Sequence, residues 1–173
     1  MILRKAKINE SEKILNFYQN VIFSLKDSKF NPKWNKKYPN LEYICSSIKK
    51  EELYVYTDEH EIISSFILNN QFDNDYNTVQ WQISPKPSEI TIIHTFAINS
   101  NYRQRGNSKK IFKKIKEMAM NNNQKTLRID IVDGNDGAQK VFEKLGFKYI
   151  ESIEIEHYAV GLQKFHLYEY LLK

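Results

Sequence analysis

The sequence predicts a mixed α/β (α+β) fold in the order β-α-α-β-β-(β)-β-α-β-α-β-β, where the bracketed piece is a short additional strand. Two observations carry this. Apolar residues recur at helical period in some segments, and in others they alternate or gather in short β-branched runs. Helical segments also sit between strands in both halves of the chain, and several strands are separated only by polar turns. That argues for a mixed sheet rather than a purely parallel one.

The elements follow in order. Ile2–Ile8 reads as a short strand. Asn9, with Glu12 three residues on, has capping-box spacing, and Ile14, Phe17, Tyr18, Val21 and Ile22 form a helical stripe. Asp27–Asn40 is a loop carrying Pro32, Trp34, Tyr38 and Pro39. A second helix places Leu41, Ile44, Cys45 and Ile48 on one face. Glu52–Thr57 and Ile62–Asn69 are strands joined by the turn Asp58-Glu59-His60-Glu61. Thr78–Ile83 is the additional strand piece, broken by Pro85-Lys86-Pro87. Glu89–Ile98 is strongly β-branched. Gly106–Asn121 is a helix with Ile111, Phe112, Ile115, Met118 and Ala119 inward. Thr126–Val132 is a strand and Asp136–Leu145 a short helix that Gly146 is placed to end. Phe147–His157 and Gln163–Leu171 are the last strands. There is no internal repeat and no low-complexity linker, so nothing marks a domain boundary.

Composition narrows the function classes. The chain has 173 residues, with 41% hydrophobic and 27% charged side chains, as in an ordinary globular domain. No apolar run is long enough to span a membrane, and Met1–Lys5 lacks the apolar stretch of a secretory signal. Cys45 is the only cysteine, which excludes an intrachain disulfide and a cysteine-based zinc cluster and points to the cytoplasm. The formal net charge of +5 favours an anionic partner or is simply a solvated lysine-rich surface.

Glu89–Phe147 carries the chemistry. A buried strand, Ile90–Ile98, leads through a polar turn to Arg103-Gln104-Arg105-Gly106-Asn107-Ser108, where a helix begins. Free N–H groups in the first helical turn and the helix dipole favour an anion there. Gly106 lets the backbone come close to a phosphate, and Arg103 and Arg105 offer charge-assisted hydrogen bonds. There is no Gly-x-x-x-x-Gly-Lys, so this is not a Walker loop. Taken alone, a solvated basic helix start explains the stretch equally well.

The segment resembles the GNAT superfamily of acyl-CoA transferases. Arg103–Ser108 is similar to the family's pyrophosphate motif Gln/Arg-x-x-Gly-x-Gly/Ala, departing from it only at Ser108. Asn135-Asp136-Gly137-Ala138-Gln139-Lys140-Val141-Phe142-Glu143-Lys144-Leu145-Gly146-Phe147 resembles the second motif, Asn-x-x-Ala-x-x-x-Tyr-x-x-x-Gly-Phe, and Leu127–Ile131 the strand before it. The order of elements matches from end to end. The resemblance implies a mostly antiparallel central sheet with helices on both faces. Residues 1–173 are then one acetyltransferase domain that moves an acetyl group from acetyl-CoA to a primary amine, small molecule or peptide, by direct attack in a ternary complex. It implies no metal, no nucleic-acid or membrane partner, and a monomer or homodimer.

Residue by residue, the resemblance implies that the strand before the pyrophosphate loop splays from its neighbour. The backbone of Phe96, Ala97 and Ile98 would then hold the pantetheine arm and the oxyanion. The amides of Gln104, Arg105, Gly106, Asn107, Ser108 and Lys109 would cradle the pyrophosphate, flanked by Arg103. Asn135 would bond the pantetheine, and Lys144 would meet the ribose phosphate. The base that takes the amine proton would be His94, two residues before Phe96 and so on the same face of a regular strand, with an unperturbed pKa near 6.5. A buried structural histidine is the alternative. Where the family has a tyrosine to protonate the leaving thiolate, this chain has Phe142, which can pack against the pantetheine arm but cannot donate a proton. Water would then serve, or another tyrosine such as Tyr149 or Tyr158, or else the protein is a non-catalytic acyl-CoA-binding regulator.

Family members build the acceptor pocket from the loop between the first two helices and the last hairpin, here Asp27–Tyr38 and His157–Lys164. Trp34 and Tyr38 either form an aromatic wall suited to an aromatic or cationic amine, or roof the core. No acidic cluster is evident near them in the sequence.

Overall fold

A computed structural model of the chain describes residues 1–26, 28, 32–35, 37–59, 61–72, 74–157 and 161–173. Strand β1 (Ile2–Lys5) stops short of the expected Ile8. Lys7 is extended, and Ile8–Glu10 is a 3-10 turn in which the Glu10 carboxylate accepts the Lys7 N–H at 2.9 Å and the Arg4 guanidinium at 2.7 and 2.8 Å. This corrects the expected Asn9 cap: helix α1 (Ser11–Ser24) starts after Glu10, and Asn9 lies inside the turn. α1 buries Ile14, Phe17, Tyr18 and Val21. Helix α2 (Leu41–Lys49) is capped by Asn40, whose Oδ1 accepts the Tyr43 N–H at 2.9 Å. It buries Ile44 and Ile48 and leaves Cys45 half-buried.

Strands β2 (Leu53–Asp58) and β3 (Glu61–Asn69) form a hairpin. His60, part of its expected turn, lies outside the described residues. Thr78–Ile83 is not a strand. Asn74–Thr78 is a 3-10 turn, and the chain beyond it is irregular. The reason is that side chains, not a neighbouring strand, take up its backbone groups. Gln80 N–H donates to Glu151 Oε1 at 3.0 Å, Gln82 N–H donates to Glu169 Oε2 at 2.7 Å, and Ile83 O accepts Arg128 Nη2 at 2.9 Å. Strand β4 (Ile90–Ile98), helix α3 (Asn107–Asn121), strand β5 (Thr126–Val132), helix α4 (Asp136–Lys144) and strands β6 (Lys148–His157) and β7 (Gly161–Leu171) lie close to their predicted bounds. Gly146 follows α4 with φ 97°, the left-handed conformation that ends a helix without strain at glycine.

The seven strands form one sheet in the order β1-β2-β3-β4-β5-β7-β6. All neighbours are antiparallel except β4 and β5, which α3 joins as a parallel crossover. Helices α1 and α2 cover one face, packing Ile14, Tyr18, Ile44 and Ile48 on Leu53, Val55 and Ile67. Helices α3 and α4 cover the other, where Ile111, Ile115 and Phe142 meet Ile63, Phe66, Leu127 and Tyr168. Residues 70–89 extend the first cover over the far half of the sheet, with Tyr76 and Val79 against Ile90, Ile92, Ile155 and Leu167. Among the described residues, no helix is long and apolar enough to cross a membrane.

Candidate active site

β4 and β5 pair only at Ile90↔Thr126, Thr91↔Leu127 and Ile92↔Arg128. Beyond those pairs β4 stays with β3 as far as Ser64↔Ile98, and β5 stays with β7 as far as Val132↔Phe165, so the two strands diverge. A cavity of about 530 Å³ opens at the divergence, walled by Ile93–Phe96 from β4 and Ile129–Val132 from β5. Because it lies in a gap in the sheet, it reaches from the α3/α4 face to the α1/α2 face.

A bulge shapes the β4 wall. Ser65 pairs with Ala97 and Ile67 with His94, so three steps on β4 match two on β3, and Thr95 carries the extra step at φ 49°. This corrects the expectation that His94 and Phe96 share a face. Phe96 packs on the α3/α4 side, with its ring 5.7 Å from Phe66 and 5.5 Å from Phe142. Thr95 faces α1, where Tyr18 Oη donates to its carbonyl at 3.1 Å. His94 turns to that same side and meets Asn69, its Nε2 lying 2.9 Å from Asn69 Oδ1. Asn69 Nδ2 donates to Glu52 at 3.0 Å, which fixes the amide, so His94 Nε2 carries the hydrogen and donates. His94 therefore lines the cavity from the α1/α2 side in a ring orientation set by Asn69.

The loop after β4 has two left-handed residues, Gln104 (φ 60°) and Gly106 (φ 74°). Gly106 is the residue before α3 and has no side chain to cap the helix, so its first-turn N–H groups receive no cap from the N-cap residue. Gln104, Arg105, Gly106, Lys109 and Lys110 are exposed, Ser108 is half-buried, and the first turn holds no acidic residue. Asn107 is buried beneath them, its Nδ2 donating to Tyr102 O at 2.9 Å. Arg103 is used otherwise than expected. Its Nε donates to Ile98 O at 3.0 Å, turning the guanidinium back onto β4, and burial lowers its pKa. None of Arg103–Lys109 lines the cavity, and neither do Ala97 and Ile98.

From α4, Asn135 and Phe142 do line the cavity. Asn135 Oδ1 accepts the Ala138 N–H at 3.4 Å, fixing the start of α4. Phe142 is 3% exposed, with its ring edge-on to Phe96 and Phe147. Lys144 is exposed at the end of α4. Tyr149, a candidate proton donor, stands 52% exposed on β6 and does not line the cavity. Tyr158 lies outside the described residues.

On the α1/α2 side, Trp34 and Tyr38 both line the cavity. Trp34 is edge-on to Tyr18 at 5.7 Å, and Tyr38 is edge-on to His157 at 4.6 Å and 5.1 Å from Tyr43. His157, at the start of the expected last hairpin, lines it too, while sequence reasoning missed Tyr43, Phe72, Tyr76, Asp130 and Glu156. Asp130 Oδ1 accepts the Tyr76 hydroxyl at 2.6 Å, so a carboxylate is held at the cavity wall. The alternation Leu127-Arg128-Ile129-Asp130-Ile131 does mark Asp130 as opposite the core face, but not what it meets there. Among the described residues, no group of three or more His, Cys, Asp or Glu is placed to hold a metal ion.

Comparison with known proteins identifies the family and the fold. A sequence profile of the Acetyltransferase (GNAT) family matches residues 20–147. No curated protein matches the chain. Solved structures share the fold at low identity. A GNAT-family acetyltransferase from Streptococcus agalactiae is 18% identical with TM-score 0.83, over 99% of this chain and 95% of its own. A protein from Salmonella typhimurium, described as an acetyltransferase with its cofactor acetyl-CoA, is 11% identical with TM-score 0.71, over 100% and 94%. Ribosomal-protein-alanine N-acetyltransferase from Brucella melitensis is 13% identical with TM-score 0.68, over 99% and 100%.

Proposed function

The chain belongs to the acetyltransferase (GNAT) family, and we propose that it moves the acetyl group of acetyl-CoA onto a primary amine that enters from the α1/α2 side. The observation that carries this reading is the cavity between the diverging strands β4 and β5, with an aromatic wall on its α1/α2 side and a basic helix start at the end of the loop that follows β4.

The residues present fit the donor. The amides of Gln104–Lys109 suit the pyrophosphate, with Arg105 and Lys109 adding positive field, and Asn135 and the facing backbones of β4 and β5 suit an extended pantetheine arm. Acetyl-CoA supplies an acyl carbon activated as a thioester. The chain supplies the rest. His94, oriented by Asn69, takes the proton from the amine, because an ammonium has no lone pair. Asp130, held by Tyr76, adds negative charge beside the incoming cation. Phe142 packs in the wall and gives no proton, so the departing thiolate, with a pKa of about 8.5, takes one from water. A small-molecule amine or a peptide amine suits the same wall.

Thermal unfolding with acetyl-CoA tests the donor. At about a hundred times Kd it adds about 2.7 kcal/mol, a shift of a few degrees. A screen of amines for CoA release then tests the acceptor. His94→Ala should lower kcat about a hundredfold or more at neutral pH and recover at high pH, where more free amine exists. Matching pH profiles in the two proteins would remove His94 as the base. Acetyl-CoA binding without release by any amine would favour the non-catalytic regulator.

A further inference from the structure

A second cluster of reactive side chains lies on the α3/α4 face at the far side of the sheet, and none of its members lines the cavity. Ser152 on β6 pairs across from His166 on β7, with Ser152 Oγ 2.6 Å from His166 Nδ1. His166 Nε2 lies 2.8 Å from Asp133 Oδ1, just past the end of β5. Tyr149 Oη lies 2.9 Å from Ser152 Oγ.

The bond directions follow by elimination. An ionised carboxylate only accepts, so in the neutral ring Asp133 places the hydrogen on Nε2. Nδ1 then has the lone pair and accepts the Ser152 hydroxyl, which leaves Ser152 Oγ to accept from Tyr149. The His166 hydrogen bond also holds the Asp133 carboxyl below its usual range.

The backbone is shaped for this arrangement. Tyr149 pairs with Tyr168 and Ser152 with His166, so three steps on β6 match two on β7. Without that bulge, residues three apart would face opposite sides of the sheet; with it, Tyr149 and Ser152 share a face. His166 is mostly buried, its side chain 16% exposed, and Ser152 is reachable from solvent. A nucleophile, a base on it and a group orienting the base are the three parts of an activated serine.

We propose that Ser152, His166 and Asp133 form a second reactive centre, separate from the acetyl-transfer cavity, at which Ser152 accepts acyl groups from activated esters and thioesters. Ser152 Oγ bonds the acyl carbon while the bond from that carbon to the leaving oxygen or sulfur breaks. The serine proton passes to His166 Nδ1 and from there to the leaving group. Water, deprotonated by the same nitrogen, then releases the acyl group as a carboxylic acid and restores the hydroxyl. Acyl donors with weakly basic leaving groups need the least oxyanion help, which selects aryl esters and thioesters.

The test uses the full chain with p-nitrophenyl acetate, following p-nitrophenolate release and locating the acetyl group by peptide mass spectrometry. Ser152 should be acetylated ahead of every other hydroxyl in the chain. His166→Gln should slow that labelling about a hundredfold. Asp133→Asn, at a surface position, should slow it about tenfold or more with little effect on folding. Amine-dependent CoA release should be unchanged in Ser152→Ala. The proposal is overturned if Ser152 reacts no faster than other serines, or if labelling is the same in His166→Gln and Asp133→Asn.

Discussion

The two parts of the proposed site are built differently. The proposed donor part comes from two short stretches of chain, β4 with the loop into α3, which lies outside the cavity lining, and Asn135–Phe142. Its geometry is mostly backbone: a bulge, two left-handed residues and an uncapped helix start. The proposed acceptor part collects side chains from around Trp34, Phe72, Asp130 and His157, which no local pattern links. A site made of backbone conformation can be recognised from a few residues in a row. A site made of packed side chains exists only once the sheet and its covers are in place. If this contrast is right, the two parts should fail separately.

The largest effect should come from Arg128. Its Nε bonds Glu169 Oε1 at 2.9 Å, both side chains are buried, and the guanidinium lies 3.9 Å over the Trp81 ring. With the bonds to Gln82 and Ile83, this pair clamps residues 70–89, which carry Phe72 and Tyr76 to the acceptor wall. Arg128→Ala leaves the Glu169 charge buried without its cationic partner, and should cost about 3–5 kcal/mol in urea unfolding. In the protein that remains folded, KM for the amine should rise while the acetyl-CoA Kd stays put. The double replacement Arg128→Met with Glu169→Leu should recover most of the stability, because no charge is left unpaired. Equal loss of donor and acceptor binding in Arg128→Ala would break the contrast.

Gly106 tests the other part. A Cβ there meets nothing within 4 Å of the chain itself, so a side chain would reach into the space an incoming phosphate needs, at φ 74°. Gly106→Val should weaken acetyl-CoA binding about tenfold or more by titration calorimetry and cost about 1–2 kcal/mol in stability from the left-handed backbone. KM for the amine should barely move. An unchanged acetyl-CoA Kd would mean that this loop does not hold the donor.

The same contrast explains what was legible in the sequence. Most strands and helices were readable from apolar period, and the loop at Arg103–Ser108 from local residue type together with the family resemblance; that Asn135 caps α4 was not read from the sequence. Asn9 misled because Glu10 meets Arg4, a partner on another element that capping-box spacing does not report. Thr78–Ile83 misled because its strand-like residues bond side chains on β5, β6 and β7 rather than a strand edge. The faces of His94 and Phe96 were inverted by the bulge at Thr95, a non-glycine residue at positive φ that propensity does not foretell. Asp130 was visible as a polar position in an alternating strand, but its place in the cavity depends on β4 diverging from β5.

The smallest and most local effect should be at Tyr38. Its ring touches His157 and Tyr43, and it stands on the wall between them, so removing it takes away one aromatic face while both neighbours keep their strand and helix. Ring contacts of this kind are worth about 0.5–1.5 kcal/mol, so Tyr38→Ala should raise KM for an accepted amine about twofold to tenfold, with kcat and acetyl-CoA Kd nearly constant. An aromatic acceptor such as tryptamine should lose more than an aliphatic one such as spermidine if the ring contributes a face, and the two should lose equally if it only shapes the opening. Tyr38 packs on Tyr43 and His157, so a matching rise in the acetyl-CoA Kd would show that the acceptor wall props the donor site, and the two parts would then be one unit.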